Sequence, residues 1–239
     1  MSAKKYSIST VGDIQQITYE DGPRFYKRLA EPRSHWRPSV TTILSLFAPP
    51  GLVDWWLSVP KDVAKKRMID AGNQGTAFHK SKEQIFKGEK TTFYNEMVED
   101  MLNAMAYAEV HWKIKQIESE IMVLSDEHGY GGSYDGLYEI HEKDPALQYI
   151  GDYKTGHVSA SKCSMQLGAY YGAIREKSGS EHSLVVFDVK KKGVELLFIE
   201  EAEKCYLNFM CAFEVWKLEN REMLSKMGWH WLNKEGVKL

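Results

Sequence analysis

Three segments with strand character follow one another between Glu118 and Gly156, and the gaps between them are too short to hold a helix. They read "ESEIMVLSD" (118–126), "SYDGLYEIH" (133–141) and "LQYIGDYKTG" (147–156), joined by "HGYGG" and "EKDPA". Strands joined by short turns are neighbours in one sheet. A helical pattern at about 160–178 follows, in "SKCSMQLGAYYGAIREKSG". Then come a hairpin around Gly193 and a long helix at 201–225. Three meandering strands, a helix, two strands and a helix predict one α/β domain built on a mixed sheet.

The chain before this block has a different texture. Residues 5–30 alternate enough to predict two or three short strands, with Asp21-Gly22 as a turn. "PSVTTILSLF" opens a helix after Pro38, and "PPG" at 49–51 stops it. Residues 52–88 read as helices broken near Pro60 and Gly72, and residues 94–118 as another helix with Met97, Met101, Ala104, Met105, Ala108 and Trp112 on its apolar face. The expected layout is a single domain over 1–239. Residues 1–115 supply strands and a helical roof, 116–225 the core, and 226–239 a tail holding Trp229 and Trp231.

Composition excludes several classes. No run approaches the roughly 18 apolar residues of a membrane span. "MSAKKYSISTVGD" has no apolar stretch behind its lysines, so a secretory leader is not expected. Cys163, Cys205 and Cys211 show neither a disulfide framework nor zinc-ligand spacing, and a reducing, cytoplasmic compartment is the expectation. The net charge of −2 means that any nucleic-acid binding must rest on local patches. The basic runs are "KDVAKKR" (61–67) and "VKKKG" (189–193), each of which also fits a solvated face.

Asp152 and Lys154 stand two apart on the third strand, on the same face as Ile150. They are either a surface ion pair or half of a metal-dependent site. Glu120 lies on the first strand and Asp135 on the second. Adjacent strands are about 4.8 Å apart, so these carboxylates can converge on one ion. Magnesium is usually held by one or two carboxylates with water and substrate phosphate, and an added imidazole makes manganese acceptable. His79 supplies that imidazole and pairs with Glu83 at i, i+4 on one helix face. Lys154 can orient or deprotonate an attacking water, or stabilise an anionic transition state. Gln166 and Tyr170 form another i, i+4 pair, able to contact a phosphate or orient the lysine. Each residue alone also fits a structural role; the combination is what metal-assisted phosphodiester hydrolysis needs.

The series "GTAFH", Glu120, "GGSYDGLYEI", "GDYKTG" and "QLGAY" resembles the RecB-type branch of the PD-(D/E)XK nuclease superfamily. "RPSVTTIL" resembles the N-terminal segment of its small members, phage exonucleases and the mitochondrial genome maintenance exonuclease among them. The resemblance spans about Pro38 to Tyr171. It implies a restriction-endonuclease-like mixed sheet flanked by helices, with an N-terminal helical elaboration over the active site. It also implies one or two Mg2+ or Mn2+ ions and DNA cleavage. By position His79, Glu120, Asp135 and Asp152 match metal-binding residues and Lys154 the catalytic lysine, followed by the Gln166 and Tyr170 motif. Relatives used in CRISPR adaptation carry four cysteines for an iron–sulfur cluster; that arrangement is missing here, so no cluster is expected.

No GxxxxGK[ST] motif occurs, so a stand-alone nuclease or the partner of a separate machine is expected. Trp55, Trp56, Phe78, Phe86 and Phe93 offer aromatic faces for bases, and Lys61, Lys65, Lys66 and Arg67 offer charge for phosphates. The expectation is an exonuclease acting on single-stranded or tailed DNA ends in phage-type replication, recombination or degradation. A recombination or single-strand-binding protein is an expected partner. The alternatives are a structure- or sequence-specific endonuclease and a non-catalytic DNA-binding module.

Overall fold

The computed structural model of the chain describes residues 6–20, 22–32, 35–47, 51–91 and 95–226. Asp21, the Pro49-Pro50 stop, Phe93 and the tail tryptophans Trp229 and Trp231 lie outside the described residues.

Four antiparallel strands open the chain in the order β1 (Tyr6–Val11), β2 (Ile14–Tyr19), β3 (Arg24–Arg28) and β4 (Arg37–Pro38). Ser39 then forms a parallel bridge to Gly131, which ties this small sheet to the main one. The Ser39 side chain accepts the Thr42 N–H at 2.9 Å and so caps α1 (Val40–Ile43), as expected of a Ser behind Pro. α2 (Leu52–Ser58) ends before Pro60, and α3 (Lys61–Phe86) begins after it.

The predicted break at Gly72 does not occur; α3 runs through it. One glycine costs a helix only about 1 kcal/mol relative to Ala, too little to end so long an element. α4 (Glu96–His111) is capped by Asn95 and stops seven residues before the predicted end. Lys113 adopts a left-handed φ of 48° and turns the chain directly into a strand. On α4, Val98 takes the buried position expected of Met97, beside Met101, Met105 and Ala108.

The main sheet has the order β5 (Ile114–Ser125), β6 (Tyr130–Ile140), β7 (Asp144–Lys154), β8 (Ser183–Lys190) and β9 (Gly193–Ile199). Only β7 and β8 are parallel, joined through α5 (Ala160–Ser178). α6 (Ala202–Glu219) and α7 (Arg221–Lys226) close the described chain. This is the expected α/β architecture, a five-stranded mixed sheet flanked by helices. Strand alternation builds both cores: Leu184 and Val186 face the α5–α6 side, and Val185, Phe187 and Val189 face α3 and α4. No helix among the described residues is long and apolar enough to cross a membrane.

"HGYGG" is not wholly a turn, for β6 already includes Tyr130, Gly131 and Gly132. A Cβ on Gly131 would lie 2.9 Å from Tyr26 Cβ, and one on Gly132 2.4 Å from the Tyr170 ring. The glycines are there so that the small sheet and α5 can close on the strand.

A charge network fixes the same junction. Arg37, almost fully buried, makes a two-pronged contact with Glu31, both at 2.7 Å, and reaches Asp126 at 3.0 Å. Asp126, in the β5–β6 turn, also binds Arg28 at 2.6 Å. Burial pushes the Glu31 carboxyl up, but the Arg37 hydrogen bonds and charge outweigh it and hold it at about 2. A carboxyl depressed below its ordinary 4.5 contributes its full stability above that pH and loses it as pH falls toward 2. Glu31→Gln should therefore cost on the order of 2 kcal/mol at pH 7. The gap in melting temperature between wild type and variant should close between pH 4.5 and pH 2, read by circular dichroism.

Candidate active site

The three predicted acids stand in one row across β5, β6 and β7. Ser119 pairs with Gly136 and Ile121 with Tyr134, which sets Glu120 opposite Asp135. On the other side, Leu137 pairs with Ile150 and Gly136 with Gly151. One residue further the same register would set Asp135 opposite Asp152, but the ladder ends there. The Tyr153 N–H donates to Asp135 Oδ2 instead. Glu120 holds a φ of 52°, a left-handed conformation costing a non-glycine residue on the order of 1–3 kcal/mol. That twist sits where its carboxylate joins the site.

His79 reaches the row from α3. Its Nδ1 lies 2.9 Å from Asp135 Oδ1. Phe78, the preceding residue, is fully buried against Tyr153 with ring centroids 5.4 Å apart, which fixes the helix at this turn. Phe78 is thus a core residue and not a stacking face for bases. His79, Glu120 and Asp135 place one ligand atom each within 4.8 Å of one another. One imidazole and two carboxylates suit Mg2+ or Mn2+ completed by water and a phosphate oxygen.

Asp152 belongs to a second group. Its Oδ2 pairs with Lys154 Nζ at 2.5 Å, and its Oδ1 accepts from Gln166 Nε2 at 3.0 Å. Gln166 Oε1 accepts from Lys154 Nζ at 3.0 Å, closing a ring of three side chains. Gln166 Nε2 also donates to the Tyr170 hydroxyl at 3.1 Å. Gln166 on α5 thus holds the strand pair and is itself backed by Tyr170 one helical turn on.

The electrostatics follow from crowding acids in a buried place. Burial, then the charge of Asp135, pushes Glu120 up to about 7. Burial alone would lower His79, but the charge and hydrogen bond of Asp135 outweigh it and hold it at about 9. Burial raises Asp152 despite the opposing Lys154. Lys154 is also raised, because the pull of Asp152 exceeds the effect of its burial. A divalent cation would relieve the mutual repulsion of the carboxylates.

All of these side chains line one cleft of about 510 Å3. Arg24, Tyr26, Ser39, Thr41 and Lys80 line it too. Sequence reasoning did not single them out, since Arg24 and Tyr26 sit in a short strand, Ser39 and Thr41 at a helix start and Lys80 beside His79, and none carries a spacing signal of its own. Glu83 faces the cleft while paired with Lys87 at 2.5 Å.

The predicted DNA-contacting residues lie away from it. Lys61, Lys65, Lys66 and Arg67 are exposed near the start of α3, 18 to 12 residues before His79, or about 27 to 18 Å along the helix. At 100° per residue Lys61 and Lys65 share the His79 face of the helix, whereas Lys66 and Arg67 point elsewhere. Trp55 and Trp56 on α2 are half-buried and pack edge-to-face on each other, their centroids 6.4 Å apart. Cys163 and Cys205 are buried and Cys211 exposed, all as free thiols.

No protein-family model and no curated protein matches the chain. Among solved structures, SSO0001 is similar over 74% of this chain and 75% of its own, with 11% identity and a TM-score of 0.35. A likeness that distant carries no argument about fold or activity.

If His79, Glu120 and Asp135 hold a cation, Mn2+ at about 100 times its Kd should stabilise the protein by about 2.7 kcal/mol. Asp135→Ala and Glu120→Gln should lose most of this gain, while Lys154→Ala should keep it. A melting series with and without Mn2+ checks all three.

Proposed function

We propose that the protein is a divalent-cation-dependent deoxyribonuclease that hydrolyses phosphodiester bonds from the ends of single-stranded or tailed DNA. One observation carries the reading. The His79–Glu120–Asp135 cluster and the Asp152–Lys154–Gln166 ring meet in a single cleft, although they come from five separate elements. The order and identity of these residues also resemble the RecB-type nuclease motifs.

Each residue has a distinct task in this reading. His79, Glu120 and Asp135 would hold Mg2+ or Mn2+, with Asp152 at the border of the cluster. When bound, the ion lowers the pKa of its water and neutralises charge on the phosphate. Lys154 orients the attacking water or meets the charge that builds on the phosphate oxygens. Gln166 fixes the lysine by accepting from its ammonium while donating to Asp152. Tyr170 holds Gln166 from behind. The cleft volume matches that of a small-ligand site, enough for a nucleotide or two of one strand. That suits one strand better than an uninterrupted duplex.

The test uses end-labelled linear single- and double-stranded DNA and circular single-stranded DNA, each with Mg2+ and with Mn2+. Linear strands should be degraded and circles left intact. Cleaved circles would make the protein an endonuclease, and no cleavage of any substrate would end the enzyme reading. Lys154→Ala and Asp152→Ala should each lower kcat by about 10²- to 10⁴-fold with the fold preserved.

A further inference from the structure

The metal cleft has a neighbour. A second cleft of about 530 Å3 opens between the β2–β3 turn, α1 and the α6–α7 corner, with Thr18, Ser45, Trp216, Asn220 and Met223 in its walls. Arg24 and Thr41 line both clefts, so these two side chains stand where one runs into the other.

Arg24 is held at that crossing by its backbone. Its N–H donates to Thr42 Oγ1 at 2.9 Å. Its carbonyl accepts from the Ser39 N–H at 2.9 Å and from the Thr42 hydroxyl at 3.3 Å. Ser39 is also the residue bridged to Gly131 on β6. The arginine is thereby fixed relative to the strand that carries Asp135. Its side chain is not used up in the same way. Arg24 Nε is buried, its guanidinium lies beside the buried Tyr26 hydroxyl, and among the described residues it forms no ion pair with a carboxylate. Arg28 and Arg37, by contrast, are committed to carboxylates. A guanidinium in a cleft with no carboxylate to balance its charge calls for an explanation, and an anionic ligand is one.

We propose that Arg24 binds the phosphate next to the one being cut, and that the second cleft receives the nucleotide beyond it. A single strand then passes over Arg24 and Thr41 on its way to the metal cluster. This rests on the nuclease reading above and supplies the substrate path that reading leaves open. The guanidinium fork matches two phosphate oxygens. It also offsets the repulsion that Glu83, Glu120, Asp135 and Asp152 exert on a polyanion entering the cleft. Met223 gives the second cleft an apolar edge, and Thr18 and Asn220 give it polar ones, while Trp216 beneath them belongs to the core.

The experiment uses fluorescein-labelled oligothymidylates of two to twelve nucleotides, with Ca2+ for binding and Mn2+ for cleavage. Arg24→Ala should raise Kd and KM for the 12-mer about tenfold or more and leave the Mn2+-induced rise in melting temperature intact. Arg24→Lys should recover part of the loss. Ser45→Trp, which narrows the second cleft, should remove the advantage of the 12-mer over the dinucleotide. A wild-type KM in Arg24→Ala, with the wild-type protein active, would overturn the proposal and leave the nuclease reading standing. Loss of the Mn2+ response in Arg24→Ala would make the arginine a scaffold residue and overturn it equally. A wild-type protein that neither binds nor cuts any of these strands would bring down both readings.

Discussion

The Tyr153 amide donates to the carboxylate of Asp135 at the point where β6 and β7 stop pairing, and the cleft depends on that exchange. One residue earlier, Gly136 still faces Gly151 in an ordinary ladder. Had the ladder continued, Asp135 and Asp152 would be a direct cross-strand pair of like charges, an arrangement that costs stability. Instead one Asp135 oxygen satisfies the neighbouring strand and the other meets His79. Asp152 is left to Lys154 and Gln166. On the far side, the left-handed Glu120 breaks the regular β5 geometry opposite the same residue. The site is a local failure of sheet pairing, filled by side chains.

Packing keeps that failure from spreading. Phe78 anchors α3 in one core, and the next residue delivers the imidazole. Leu167, Ala169 and Tyr170 anchor α5 in the other core around Gln166. The Glu31–Arg37–Asp126 network and the Ser39–Gly131 bridge lock the small sheet against β6. Carboxylates drawn together in this way repel one another and are suited to a cation. The geometry that stores this electrostatic strain is therefore the geometry that makes the cleft a candidate site.

Much of the candidate site was legible because its partners sit close in sequence. Asp152 and Lys154 share a strand face, and Gln166 and Tyr170 share a helix face. Glu120 and Asp135 could be placed on neighbouring strands because the turns are short. The misread elements had non-local causes in two cases, the glycines of β6 and Phe78, and a local one at Gly72, where a single glycine costs too little to end a helix. Gly131 and Gly132 looked like turn residues, yet they lie in β6 because Tyr26 and Tyr170 close on it. Gly72 looked like a break, yet α3 continues through it. Phe78 looked available to a base until the helix was seen to press it into the core.

Local periodicity and connector length are properties of the chain alone, and they determined the α/β class, the mixed sheet and the membership of the acidic row. Which of those acids share one cluster, and which is held by the lysine, was decided by the tertiary structure. The reason is physical: ligand atoms must approach within a few ångströms, and that depends on strand splay, backbone twist and helix docking, none of which leaves a repeat in the sequence. Arg24 shows the same division. As a letter it is one of many basic residues; its place between two clefts, fixed by Thr42 and Ser39, appears only in the tertiary structure.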